Sequence, residues 1–550
     1  MAQILYKIEL LNQPLEIEEN SYKKSVKIIE FYSSKKIREI YLGYVTKEEV
    51  YDRIKKGDAI CLDHCYVKDF SISEYRKINS LEDKATVEIN NFSAKNAFFD
   101  CDAYTDFSHI QFSSSCEFTH SIFIHGSLNF THAIFEKGAD FSDCSFQSYQ
   151  TLYQYCEVKG EKFKFENSRF NGEMVSFINT SLQSSEVNFK RVNFHTSKVK
   201  FHFATFGEGL KTFEKIKFHG PVFDFRRVNF GEGKIDFRRS LFGSGHVTFE
   251  ESEIESGKFT FRLSKFEGGD LSFRRMNFGC DEVNLDHVSF GCKTISFENA
   301  IATNISISNS DIHSTLDLRI KSAHRIDLTE SYLHSITDLN FHKADALSEL
   351  VLIGTKNLGK IIIFWEKNQV RKLIMNQKVE PIDWAEQFNT IKDNFTKNGQ
   401  YNDEDYAYVH YKRYELASRK QSAIQNAKLP KFMIHFSYSL KSLIFDKMGL
   451  FATSPNRVFL SMIVAIAGFA SIYMLFEFLE LGHLINSVDA TDQLDVVDKS
   501  LYHSSITFFT IGYGDYYPTS WNRLVSAIEG WVGVFMMSYF TVAFVRKILR

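Results

Sequence analysis

The chain has no charge excess of either sign: 65 Lys and Arg stand against 68 Asp and Glu, a net charge of -3. A near-neutral chain carries no electrostatic footprint for nucleic acid, and no nucleic-acid partner is expected. Cysteine is sparse, eight in 550 residues, and none stands in a strong metal pattern, which fits a reducing cytoplasm. Cys61, His64 and Cys65 lie close together, but two further ligands at regular spacing are missing, so a buried structural role is expected of them. No motif assembles a nucleophile, a base and an orienting residue. An enzyme is not expected, nor is a cofactor or a resident metal. No cleavable signal peptide is visible at Met1, where the sequence turns charged at Lys7 and Glu9.

What the chain has instead is repetition. Phe189, Phe201, Phe213, Phe225, Phe237, Phe249, Phe261 and Phe273 recur every twelve residues, and Leu285 and Phe297 continue the series. A second series offset by five runs through Phe194, Phe206, Phe218, Phe230, Phe242, Ile254, Phe266, Phe278 and Phe290. Another apolar residue stands two before most members of the first series, as in Val187, Val199, Phe223 and Ile235. That pairing is the inward face of a short strand. Earlier phenylalanines, from Phe107 to Phe146, follow at five, six or seven.

Five-residue steps centred on phenylalanine or leucine resemble pentapeptide-repeat proteins, which fold as a right-handed quadrilateral β-helix. Here two residues are inserted at every second corner, so four faces take 24 residues per coil. Charge supports that count: at a spacing of 24, Arg226, Glu250, Arg274 and Glu298 stack with alternating sign, whereas a spacing of 12 stacks Arg226 on Arg238. About ten coils from Phe92 to Leu333 make a rod roughly 50 Å long, with less regular strands extending it. The expected parts are an N-terminal cap at 1–91, with a helix opened by the Thr46–Glu49 capping box, and a β-helix at 92–376. Some pentapeptide-repeat proteins mimic DNA through an acidic surface; Arg226, Arg227, Arg238, Arg239, Arg274 and Arg275 interrupt the acids here and argue against that role.

After the rod, Trp384, Phe388, Ile391 and Phe395 mark one amphipathic helix, and Tyr406, His410, Tyr414 and Ala417 a second running from about Asp403 to Ala427, within a linker at 377–429. In residues 430–448, Phe432, Phe436, Leu440 and Leu443 form an apolar face opposite Lys431, Lys441 and Lys447, the pattern of a helix lying on a membrane surface.

The final part, 456–550, holds two apolar segments, 457–479 and 523–546. Each is long enough to cross a hydrocarbon core of roughly 30 Å. Arg457, Arg546, Lys547 and Arg550 flank them, while the intervening loop carries Asp489, Asp492, Asp495 and Asp498. The positive-inside rule therefore puts both chain ends in the cytoplasm of a multi-pass protein of the cell membrane. Neither span is preceded by an arginine-rich one, which excludes a voltage sensor.

Between the spans stands Thr510-Ile511-Gly512-Tyr513-Gly514-Asp515, preceded at 499–509 by a stretch suited to a short re-entrant helix. The hexapeptide resembles the selectivity filter of potassium channels, with Ile511 in place of valine. The resemblance implies that residues 510–514 present carbonyls to a bare K+ ion, that Tyr513 packs outward, that Asp515 supports the filter, and that four identical chains close one pore. It also places a gating hinge at Gly533, although Gly530 and Gly533 equally suit close helix packing. Glu529 is costly at membrane depth unless paired. It is expected either to accept a hydrogen bond from Ser504, Ser505 or Thr507 or to act as a proton-sensitive switch.

The expected molecule is thus multidomain: a cytoplasmic β-helix, a short helical linker and an all-α two-span pore, assembled as a homotetramer in lipid. Its expected function is K+ conduction with K+ as the permeant ion. A weakly selective cation pore is the alternative. With no C-terminal ligand-binding ring expected, regulation would come through the N-terminal part, and the rod's purpose stays open between receptor for a cytoplasmic ligand, partner-binding arm and scaffold.

Overall fold

Stacked phenylalanines build the N-terminal part. Phe118, Phe141, Phe165, Phe189 and Phe213 lie one above another with ring centroids 4.7–5.0 Å apart, close to the strand separation that a parallel ladder imposes. Rings from adjoining faces meet edge-on, as Phe189 does Phe201 at 5.7 Å. Each such pair adds roughly 0.5–1.5 kcal/mol beyond its area burial.

The computed structural model describes residues 4–17, 20–32, 35–426, 430–487 and 494–549. They divide into two units, Met1–Gln377 and Lys378–Arg550. The first is a parallel β-solenoid of about 13 coils, with sheets of 16, 12 and 13 strands along three faces. The fourth face has six strands and continues in isolated bridges such as Thr205–Asn229 and Asn229–Glu253. The 24-residue coil is explicit in the register: Phe170, Phe194, Phe218, Phe242, Phe266 and Phe290 pair in sequence. Beyond Phe290 the coil tightens, to Ile312 and then Leu333.

Corners are fixed by backbone geometry and buried hydroxyls. Arg191, Phe203, Lys215, Arg227, Arg239 and Glu251 all take φ of 55–60°. Ser240 and Ser264 are buried and donate to the carbonyls of Phe213 and Phe237 one coil below, at 2.9 and 2.8 Å. Gly209, Gly233 and Gly257 share one column at φ of 106–111°. A Cβ on Gly233 would stand 2.1 Å from the Gly209 carbonyl oxygen, so no side chain fits there.

Charge pairing departs from direct stacking at 24. Arg226 folds back onto Asp224 of its own coil at 2.7 Å, and Arg238 onto Asp236 at 2.7 Å. The column that alternates in sign is one residue over, Arg227–Glu251–Arg275, while Arg274–Glu298 pairs as expected at 3.0 Å. The core also holds a lysine: Lys211 occupies the apolar row between Val187 and Ile235 and is fully buried. Its Nζ donates to the Glu232 carbonyl, and burial pushes its amine down from 10.5 to about 8.

Both ends of the ladder are covered. Strands Ile4–Leu11, Ser25–Tyr32 and Lys35–Val45 form an antiparallel meander, and Lys35–Val45 then pairs in parallel with Cys65–Lys68. The ladder therefore begins within the stretch expected as a cap. Helix α1, Lys47–Lys56, carries the Thr46–Glu49 capping box, and α2 is Ile72–Ile78. Cys65 is buried, with Sγ 3.3 Å from the Tyr22 hydroxyl, and its thiol is pushed up to about 12 by burial. At the other end, α3, Val370–Met375, buries Val370, Leu373 and Ile374 against strand Leu347–Val351.

The second unit is helical. Helices α4, Pro381–Lys397, and α5, Tyr401–Gln425, form a hairpin closed by Phe388 stacking on Tyr414 (5.7 Å) and His410 (5.1 Å). Helix α6, Lys431–Lys441, runs into a π-helical turn, Ser442–Lys447. Helices α7, Pro455–Phe478, and α9, Asn522–Ile548, are long and apolar enough to cross a membrane. Helix α8, Val496–Phe508, lies between them in sequence and packs on both. Val458, Met462, Phe508, Met536 and Ala543 form their common core.

Candidate ion pathway

The loop after α8 is where the expected filter residues fall. Thr510, Gly512 and Gly514 have φ of 54°, 60° and 80°. Positive φ at alternate positions is backbone that glycine takes at no steric cost and that Thr510 takes against its side-chain preference. Ile511 N–H donates to the Ile506 carbonyl at 2.8 Å, tying the strand to the last turn of α8. Thr510 to Gly514 are exposed in the single chain, with Tyr513 at 73%. The loop therefore forms no closed site within the single chain.

Asp515 anchors the C-terminal end of the loop. Its carboxylate accepts from the Tyr502 hydroxyl at 2.7 Å, and its carbonyl accepts from Ser487 N–H at 2.7 Å. The Ser487 hydroxyl donates to the Gly514 carbonyl at 2.8 Å. A two-stranded pairing of Leu484–Asn486 with Tyr516–Pro518 holds this edge. Asp495 caps α8 by accepting from Asp498 N–H at 2.8 Å. Asp489 and Asp492 lie outside the described residues, as does Arg550.

Behind α8, Glu529 is fully buried. Its carboxylate accepts from the Tyr473 hydroxyl at 2.7 Å and from the Ser504 hydroxyl. Ser505 and Thr507 face elsewhere, toward the Leu501 carbonyl and His503. Tyr473 is the partner that sequence reasoning missed. It stands 56 positions away on α7, and only the apolar context of its hydroxyl could have marked it. The network continues through Ser526, 2.9 Å from Tyr473 Oη and 2.9 Å from His503 Nε2. One carboxylate therefore ties both long helices to α8. A Cβ on Gly533 would stand 2.0 Å from the Phe508 carbonyl oxygen, whereas one on Gly530 meets nothing nearer than 4.0 Å. Gly533 is where α9 and the end of α8 approach too closely for any side chain, and α9 runs unbroken through it.

The end of α9 is clamped to the linker. Arg546 lies 3.2 Å from Glu404 and 3.0 Å from Asp405, and Lys547 lies 2.7 Å from Asp405. The Arg546 guanidinium also covers the Tyr408 ring at 4.1 Å. Glu404 and Asp405 are buried in the first turns of α5. Further along α5, Arg413 grips Asp446 of the π-helical turn at 2.8 Å, and the Tyr539 hydroxyl of α9 donates to the Phe445 carbonyl at 3.1 Å. Sequence reasoning assigned Arg546 and Lys547 to orientation alone; the acidic run Asp403-Glu404-Asp405 was the available sign of a partner.

Comparison with curated proteins and with solved structures gives no match to the chain. Residues 461–550 match the model of a family described as ion channel, and with two apolar helices flanking a short helix and an exposed carbonyl strand, this C-terminal part is a two-span ion-channel domain.

Proposed function

We propose that the protein is a potassium-selective channel of four identical chains, opened or closed under the influence of its N-terminal solenoid. The observation that carries the potassium reading is the Thr510–Asp515 sequence held with left-handed residues at 510, 512 and 514, a backbone that would let carbonyls turn to one side in place of an ion's hydration shell. Thr510, Ile511, Gly512, Tyr513 and Gly514 would line the ion path, and Asp515 and Glu529 would hold its scaffold. Four copies would be needed because a filter of this kind is a ring of four such loops. Gly533 supports the close packing on which the strand is seated, and a hinge there would have to open without adding volume at that contact.

The exposed apolar face of α6, with Phe432 and Phe436 at 72% and 70%, supports seating on the lipid surface. The clamp of α5 on the end of α9 supplies a physical route to gating, since anything that displaces the linker pulls on Arg546 and Lys547. Proteoliposomes test the conduction: K+ efflux should far exceed Na+ efflux, and equal rates would return the reading to a weakly selective pore. A chain lacking residues 1–376 should keep this selectivity with altered open probability; unchanged opening would reduce the solenoid to a scaffold.

A further inference from the structure

The solenoid carries a cluster that neither its folding nor the ion pathway uses. Asp311 and His313 sit on one coil, and His334 sits one coil above, brought into line by the Ile312–Leu333 pairing. His313 Nε2 is 3.1 Å from Asp311 Oδ2, and His334 Nε2 is 2.8 Å from Asp311 Oδ1. The two imidazoles are stacked with centroids 4.0 Å apart and planes 14° apart. Both therefore present the same nitrogen to the two oxygens of one carboxylate, and the three ligand atoms lie within 4.8 Å of one another.

The backbone holds them there. His313 N–H donates to the Phe290 carbonyl at 3.0 Å and His334 N–H to the Ile312 carbonyl at 2.9 Å, so each is pinned by a bond between coils. Below His313 the register places Gly291, which leaves that side of the cluster without a side chain.

We infer that Asp311, His313 and His334 form a binding site for a first-row divalent metal ion of the Zn2+, Co2+ or Ni2+ class. Bond lengths of 2.0–2.2 Å in a tetrahedral sphere put neighbouring ligand atoms about 3.3 Å apart; one ligand atom from each of the three residues lies within 4.8 Å of the others, so the exposed side chains would turn slightly inward to close on an ion. Two imidazoles and one carboxylate select borderline metals over Ca2+ and Mg2+, which take oxygen ligands. Each imidazole would turn its Nε2 lone pair to the ion and carry its proton on Nδ1, so no net proton is released from neutral histidines. Water completes the sphere, because all three side chains are exposed. The ion would staple two successive coils. Among the described residues a second such cluster, Asp100, Asp102 and His125, is a weaker donor set: it has one histidine, and Asp100 already accepts from the Tyr66 hydroxyl at 2.6 Å.

The test is a Zn2+ titration by calorimetry and a Co2+ titration by visible absorption on the full-length chain in detergent, with no recourse to currents, so that its failure leaves the channel reading untouched. Because the three side chains are exposed, His313→Ala and His334→Ala should fold, and circular dichroism checks this. The expected result is one more bound ion per chain in the wild type than in either variant, or an affinity at least about tenfold higher, with Zn2+ raising the thermal midpoint of the wild type alone. His125→Ala should bind as the wild type does. Equal stoichiometry and affinity in the wild type, His313→Ala and His334→Ala, or no binding at millimolar ion, overturns the site.

Discussion

Breaking the contact between α5 and α9 should change how the pore opens without changing what passes through it. Arg546 reaches Glu404 at 3.2 Å with side chains only 17% and 5% exposed, so the pair is far less screened than a surface pair. Two unit charges about 4 Å apart attract by about 4 kcal/mol at an effective dielectric of about 20, and desolvation takes back part of that. A net coupling of about 2 kcal/mol per chain is the reasonable expectation. Summed over the four chains of the proposed tetramer, a contact made in one gating state only would bias the equilibrium by roughly 8 kcal/mol, enough to hold the pore in that state. Single-channel open probability is the assay, for Glu404→Gln, Arg546→Gln and the double variant in planar bilayers. Each single variant should shift opening by at least about tenfold in the same direction, Arg546→Gln by more because it also releases Asp405, and the double variant should shift it little beyond Arg546→Gln, because that change already removes the pair. Open probabilities within about twofold of wild type, or strictly additive shifts, would refute the clamp as a gating element.

Three further outcomes follow from local chemistry. Gly533→Ala should prevent correct packing of α9 on Phe508 and abolish assembly or current, while Gly530→Ala should be tolerated; gel filtration with flux reads both, and an active Gly533→Ala would show that the contact yields. Glu529→Ala should cost the pore domain about 1–3 kcal/mol by leaving the Tyr473 and Ser504 hydroxyls without their acceptor, with Glu529→Gln costing less, and a Glu529→Gln channel with wild-type pH response would dispose of the proton-switch role. Lys211 binds its proton more weakly in the fold than in the unfolded chain, so between about pH 8 and 10.5 the unfolded state holds the proton that the folded state releases. Solenoid stability should rise with pH across that window, and Lys211→Met should flatten the rise and add up to about 3 kcal/mol at neutral pH; an unchanged pH profile in the variant would mean that the amine stays charged in the core.

The solenoid was legible because its physics repeats. A twelve-residue phenylalanine series is one instruction given many times, and the 24-residue register of Phe170 through Phe290 carries it out. Where the instruction is given once, sequence said less. The antiparallel meander at Ile4–Val45 has no period to betray its pairing, and the ladder's start at Ile60–Lys68 precedes the first phenylalanine pair. Direct stacking of Arg226 on Glu250 failed because Asp224, two positions back at the end of the preceding strand, takes its guanidinium at 2.7 Å. The hexapeptide at 510–515 and the two apolar spans were readable as local patterns. Tyr473 beneath Glu529, and Glu404 with Asp405 beneath Arg546 and Lys547, join residues 56 and about 142 positions apart. No periodicity links such pairs; only folding brings them together.

The measurement that bears most directly on the central claim is the reversal potential of the purified protein in a planar bilayer under opposed K+ and Na+ gradients. A value close to the K+ equilibrium potential is expected if, as proposed, the carbonyls of residues 510–514 replace the hydration shell of K+. Clear currents reversing near zero would contradict it, and would make the same loop the wall of a non-selective cation pore.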